Sequence, residues 1–303
     1  MLRDEEREMA EIIDGRRIAD EIKREVEEET RRLKETKGIT PGLAVILVGD
    51  HPASQSYVRS KGKACEEAGF YSLTEYMPAD MSEIALLSKI QELNHDPKIH
   101  GILVQLPLPK HIHEQKVIEA IDPRKDVDGF HPSNVGRLVI GEDCFKPCTP
   151  YGIQEMLLRS GNDPAGKHVV IVGRSNIVGK PIANILLQKK RGANAIVTVA
   201  HTGAEDLTRF TKFADILIAA IGKPNAIQGE MLKDGVVVID VGINRVEDPS
   251  SPKGYRIVGD VHFESASKKA KAITPVPGGV GLMTVAMLLK NTLKAAMAIA
   301  KES

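Results

Sequence analysis

Short apolar runs alternate with amphipathic stretches along most of the chain. Leu43–Val48, Gly101–Leu106, His168–Val172, Asp215–Ile221 and Val236–Val241 are nearly continuous apolar segments. Runs of that length, bounded by Gly, Pro or Asp, read as parallel strands buried on both faces. Residues 71–77 and 195–200 read as further strands. Between them lie helical patterns. Ile18, Ile22, Val26 and Leu33 recur near helical spacing from Arg16 to about Lys34. Residues 53–68 and 180–190 are two more helices, and a short one is expected over 205–212. Ser82 is placed to cap a helix running to Asn94, with Ile84, Leu87 and Ile90 as its apolar face. Strand–helix alternation predicts βαβ units, hence an α/β protein with parallel sheets.

The alternation is interrupted once. Residues 122–152 are dense in turn formers and read as an unusually long loop. A second strand–helix series then starts at Lys167, with the order expected of a Rossmann-like doubly wound domain. Residues 282–300 form a strong apolar helix with no strand after it, free to pack back onto the first domain. The expected division is 1–152 plus 282–303 for the first domain and 153–281 for the second. At roughly 100–200 residues per domain, 303 residues also suggest two.

Composition narrows the function classes. Lys+Arg and Asp+Glu both number 41, so the chain lacks the basic excess of a dedicated nucleic-acid binder. There is no Trp, and only five Tyr and six Phe, so stacking platforms are scarce. No run approaches 18 consecutive apolar residues and no signal-peptide pattern opens the chain, so a cytoplasmic protein without membrane partners is expected. The first dozen residues read as a charged, solvated lead-in. Cys65, Cys144 and Cys148 form no CxxC; Cys144 and Cys148 could bridge, but nothing requires it.

Several local patterns could carry chemistry. Gly173-Arg-Ser-Asn-Ile-Val-Gly179 follows a strand and precedes a helix. It is either a phosphate-binding turn at a helix N-terminus or a plain tight βα turn. It matches neither a P-loop nor GxGxxG. The next strand ends in Val199-Ala-His-Thr202-Gly, without the acid that would hold an NAD ribose, while Arg174 could meet a 2′-phosphate. Tyr57 and Lys61 lie one helical turn apart on one face. Gln105 closes a buried strand at its C-terminal end, where open parallel sheets bind ligands. Asp126 and Asp128 fail an EF-hand frame, because Arg124 and Val135 would be its first and last ligands. His111 and His113 have no third ligand in pattern, so no metal is expected. Thr274-Pro-Val-Pro-Gly-Gly-Val-Gly281 is a rigid, then permissive, turn before the last helix.

Taken together, seven segments resemble the bifunctional methylenetetrahydrofolate dehydrogenase/cyclohydrolase family. They are Tyr57-Val-Arg-Ser-Lys61, Val104-Gln-Leu-Pro-Leu-Pro109, Lys125-Asp-Val-Asp-Gly-Phe-His-Pro132, Lys146-Pro-Cys-Thr-Pro150, Val172 to Pro181, Asp240-Val-Gly-Ile-Asn244 and Thr274 to Gly281. The resemblance implies a folate-binding catalytic domain and an NADP-binding domain flanking a cleft, in a homodimer. It implies that Tyr57 stacks on folate, Lys61 is the catalytic lysine, Gln105 supports it and Asp128 holds the pterin. Val104, Leu106, Pro277, Gly278 and Gly279 would also meet the substrate. Gly173, Arg174, Ser175, Thr202 and Ile243 would meet NADP. The sequence departs from the family twice. His201-Thr202-Gly203 lacks the basic third residue common in NADP users, and His262 stands where the family carries an acid.

Overall fold

The computed structural model describes residues 9–302; residues 1–8 of the charged lead-in lie outside the described residues. In chain order the elements begin with β1 (Glu11–Ile12), α1 (Gly15–Lys37), β2 (Gly42–Val48), α2 (Pro52–Glu67), β3 (Tyr71–Met77), α3 (Glu83–His95) and β4 (Gly101–Val104). Next come α4 (Glu114–Ala120), α5 (Pro132–Ile140), α6 (Cys148–Arg159), β5 (His168–Val172), α7 (Gly179–Leu187) and β6 (Ile196–Ala200). Then follow α8 (Thr208–Thr211), β7 (Ile216–Ala219), β8 (Val236–Asp240), β9 (Asn244–Glu247), β10 (Tyr255–Val258), α9 (Phe263–Ser267), β11 (Ala270–Ile273) and α10 (Met283–Glu302).

Two compact units emerge. One contains Ala19–Cys148 and the chain from Val285 onward. Its sheet is three-stranded and parallel, in the order β3-β2-β4. All seven residues of β2 are buried, which accounts for its unbroken apolar run. Ala44, Ile46, Val48, Ile102 and Val104 form a core with Leu86, Ile90 and Leu93 of α3 and Val117 near α4's centre. Ser82 does cap α3, accepting from the Ala85 amide at 3.2 Å. The buried face of α3 is Leu86, Ile90 and Leu93; Ile84, expected there, is 80% exposed. The helix is therefore rotated about its axis from the face read in the sequence.

The other unit contains Thr149–Thr284 and the chain up to Ile18. Its parallel sheet runs β1-β11-β8-β7-β5-β6. Val170, Val172, Leu217, Ala219, Val236, Val238 and Ile273 share one core cluster. This unit takes the start of the described chain, which the sequence reading put with the first domain. Glu11 and Ile12 pair with Ala272 and Ile273 of β11, and the Ile13 amide donates to the Ile273 carbonyl. A two-residue strand has too little pattern to be read without its partner.

The long loop expected over 122–152 contains helix α5 and the start of α6. α5 is capped by the His131 side chain, begins with Pro132 and stops at left-handed Gly141, so its turn-former density marks helix ends. Conversely, α8 is only four residues long, and β4 stops at Val104 rather than Leu106. The window Val280–Ile299 has the length and mean hydropathy (1.3) to cross a membrane, but 56% of it is buried within the protein, as in a core helix.

Candidate active site

In each unit the candidate residues gather where chain connections diverge. β2 is central, with β3 on one side and β4 on the other. The segments leaving the C-terminal ends of β2 and β4 thus border a topological switch point, the usual ligand position in such sheets. α2 follows β2 and carries Tyr57 and Lys61; Gln105 directly follows β4. Tyr57 is 47% exposed whereas Lys61 is only 7% exposed. The Lys61 ammonium donates to Gln105 Oε1 at 2.8 Å. Gln105 Nε2 donates to the Leu106 carbonyl at 2.7 Å, which fixes the amide so that its oxygen faces the lysine. Its own backbone amide donates to the Ile46 carbonyl of β2. Val104 is buried and Leu106 half-buried beside it.

The turn before α5 contributes Asp128, and the first residue of α6 is Cys148. Burial lowers the Lys61 pKa, against smaller opposing effects of Asp128, Cys148 and Cys65. Burial raises the Asp128 carboxyl, and Lys61 and a hydrogen bond with Cys148 only partly offset this. Both shifts run toward the uncharged forms, so desolvation outweighs the mutual attraction of amine and acid. A lysine biased this way can accept a proton, which an ordinary lysine at neutral pH cannot.

Asp126, two residues earlier, behaves differently. Its carboxylate accepts from the amides of Gly129, Phe130 and His131 and from Asn134 Nδ2, at 2.8–3.3 Å. It organises the turn that presents Asp128, with its own pKa pushed up to about 6, chiefly by burial. Asn291 of α10 ties this turn to the Lys146–Cys148 segment, donating to the carbonyls of Val127 (2.8 Å) and Lys146 (2.9 Å). The sequence reading missed Cys148 as a neighbour of Lys61 and Asp128, and missed Asn291 altogether. A lone Asn in an apolar helix is the only local signal for the latter.

In the other unit, β5 has β6 on one side and β7 on the other, so the turn after β5 leaves a second switch point. Gly173 adopts φ +141, and a Cβ there would lie 2.2 Å from the Ala220 carbonyl oxygen. Only glycine lets this turn lie against the end of β7. Ser175 Oγ accepts from the amides of Val178 and Gly179 at the start of α7, while Arg174 is exposed. Thr202 is exposed after β6, and His201 Nδ1 accepts from the Gly203 amide at 3.0 Å. Ile243 is 55% exposed. Pro277 is exposed; the Gly278 carbonyl accepts from the Gly15 amide, and buried Gly279 lies close to Gly15. A glycine turn packed on strand ends, an exposed arginine in it and no acid after β6 until Glu205 fit a dinucleotide bearing a 2′-phosphate. His262 caps α9 by accepting from the Ser265 amide, a role an acid could fill equally.

Comparison with known proteins identifies both domain types. Residues 13–128 match the tetrahydrofolate dehydrogenase/cyclohydrolase catalytic domain, and residues 147–300 match the NAD(P)-binding domain of the same family. Bifunctional protein FolD of Moorella thermoacetica is 60% identical over 287 residues, covering 95% of this chain and 99% of that protein. The crystal structure of the bifunctional enzyme FolD-methylenetetrahydrofolate dehydrogenase/cyclohydrolase from Campylobacter jejuni superposes with a TM-score of 0.89 at 50% identity, covering 95% of this chain and 99% of that one. The Trypanosoma brucei N5,N10-methylenetetrahydrofolate dehydrogenase-cyclohydrolase, complexed with NADP cofactor and inhibitor, gives 0.90 at 42% identity, covering 96% and 98%. With both domain types matched in order and relatives aligned over nearly its whole length, the chain belongs to the tetrahydrofolate dehydrogenase/cyclohydrolase family.

Proposed function

We propose that Lys61, held by Gln105, moves the protons of the cyclohydrolase step, and that Asp128 and Tyr57 seat the folate on which both reactions occur. The reactions are the oxidation of 5,10-methylenetetrahydrofolate to the methenyl cation and its hydrolysis to 10-formyltetrahydrofolate. When bound, NADP supplies the acceptor for the hydride leaving the methylene carbon. That step removes no proton, so the protein has only to orient the two ligands. Hydrolysis does need proton transfer. Water adds to the methenyl carbon, the bond from that carbon to N5 breaks, and N5 gains a proton while one proton is released in net. The neutral Lys61 amine takes the proton from water and returns it to the departing nitrogen.

The observation that carries this reading is the 2.8 Å hydrogen bond between buried Lys61 and the uncharged Gln105. A glutamine orients the amine without restoring the charge that burial disfavours. Asp128 can accept paired hydrogen bonds from the amino-pyrimidine edge of the pterin. Tyr57 offers an exposed flat face, with Val104 and Leu106 of the same unit as further substrate contacts. Gly173, Arg174, Ser175, Thr202 and Ile243 bind NADP in preference to NAD. The assembly is a cytoplasmic homodimer with no nucleic-acid or membrane partner. Edge strand β6, with Ile196 64% and Val199 42% exposed, supports self-association.

The test is Lys61→Met. Cyclohydrolase turnover should disappear while methylenetetrahydrofolate still binds. Full turnover by the variant would sink the assignment.

A further inference from the structure

Asp260 takes no part in the roles above and belongs to no candidate binding set. Its side chain is fully buried, at 0% exposure. Oδ2 accepts from the amides of Ile221 (2.5 Å) and Gly222 (2.8 Å), and Oδ1 accepts from the Lys223 amide (3.0 Å) and Asn244 Nδ2 (2.8 Å). Three consecutive backbone N–H groups thus wrap one carboxylate, an arrangement suited to an anion. A second buried carboxylate continues the network. Asp240 Oδ1 accepts from the amides of Asp260 and Gly242, and Oδ2 from that of Val261, all at 2.9 Å.

The tethered segments are those that shape the dinucleotide site. Ile221–Lys223 leaves the end of β7, where the Ala220 carbonyl lies against Gly173. Gly242 and Asn244 flank Ile243; the Gly242 amide donates to Asp240 and the Asn244 side chain to Asp260, so the chain is held on both sides of this residue. Gly242 is itself packed on Asp260: a Cβ there would fall 2.4 Å from Oδ1. The carboxylate lies behind the loops and is shielded from solvent, so it acts through them.

We infer that Asp260 is a positioning residue for the dinucleotide site, its carboxylate holding the 221–223 turn and the Ile243 turn in the shape that receives the cofactor. The inference rests on the reading that Gly173–Ser175 and Ile243 line that site. Two features separate this role from general support of the fold. The effect should fall on cofactor binding, and it should spare cyclohydrolase chemistry at Lys61.

The experiment uses the full-length Asp260→Asn variant. Its amide would place an NH₂ among N–H donors, releasing part of the nest. NADPH binding, followed by nucleotide fluorescence, should weaken at least tenfold, and the dehydrogenase KM for NADP should rise in parallel. Exchange of the 221–223 amides with deuterium should quicken. Methenyltetrahydrofolate hydrolysis measured without nucleotide should keep kcat/KM within twofold. A folded variant with unchanged NADPH affinity overturns the inference, and so does an equal loss of both activities. If Asp260→Asn does not fold, Asn244→Ala removes one donor to the same carboxylate and should weaken NADPH binding about threefold; unchanged affinity there is equally fatal. Failure of the wild-type chain to bind NADPH would instead refute the underlying reading of the site.

Discussion

Replacing Gln105 by Glu tests the lysine chemistry most directly, because it introduces a charge beside Lys61 at nearly constant size. A carboxylate oxygen would stand where the amide oxygen now lies, 2.8 Å from the Lys61 nitrogen. With an effective dielectric constant of about 20, opposite unit charges at that distance attract by about 6 kcal/mol. Gln105 is only half-buried, so solvent screening reduces this; half the value, about 3 kcal/mol, is a working figure. It corresponds to roughly two pKa units, hence about a hundredfold smaller ratio of neutral to charged Lys61. Cyclohydrolase kcat at neutral pH should fall by up to about that factor, followed as loss of methenyl absorbance. The pH–rate profile should move about two units upward, a displacement that simple loss of packing would not produce. Hydride transfer, followed as NADPH formation, should change far less, because it needs no base. The carboxylate would also face the Leu106 carbonyl, which now accepts from Gln105, so the folate KM should rise in both assays. A variant with wild-type hydrolysis and an unshifted pH profile would refute the neutral-amine argument.

Asp128→Ala should raise the folate KM about tenfold or more in both reactions, the usual scale for lost hydrogen bonds to a charged group; an unchanged KM counts against the pterin role. Arg174→Ala should raise the KM for NADP about tenfold and leave that for NAD unaltered, and equal effects on the two nucleotides would contradict a 2′-phosphate contact. Asp240 titrates at about 6, raised chiefly by burial, against roughly 4 in an unfolded chain. The folded state therefore holds the extra proton between those values, and this contribution to stability is present below pH 4 and lost as pH rises through 6. Urea unfolding of wild type and Asp240→Asn should show the wild-type advantage shrinking by about 2 kcal/mol from pH 4 to pH 7; a difference that does not vary with pH would show that Asp240 is not the group responsible.

The carboxylates illustrate how far local pattern reaches. Asp126 and Asp128 are the same residue type, two positions apart, and nothing in their spacing ranks them. The fold separates them: Asp126 turns onto the amides of 129–131 and Asn134, while Asp128 meets Lys61 and Cys148. Likewise, Tyr57 and Lys61 were legible as a pair because helical spacing places them on one face. The partnership of Lys61 with Gln105 joins residues 44 positions apart and depends on where β2 sets α2 against β4. The Asp240–Asp260 network spans three loops and leaves only isolated acids and glycines in the sequence.

By itself the sequence determined the α/β class and the parallel strands, because continuous apolar runs such as 43–48 and 168–172 are stable only when both faces are covered. It also determined the helix start marked by Ser82 and the glycine turn after β5, since these depend on local backbone chemistry. The tertiary structure alone decided that β1 joins the sheet beside β11 and which face of α3 is buried. It also decided that Lys61 loses enough water to favour a neutral amine. Pairing, burial and desolvation depend on groups far apart in the chain, so no window of sequence contains them.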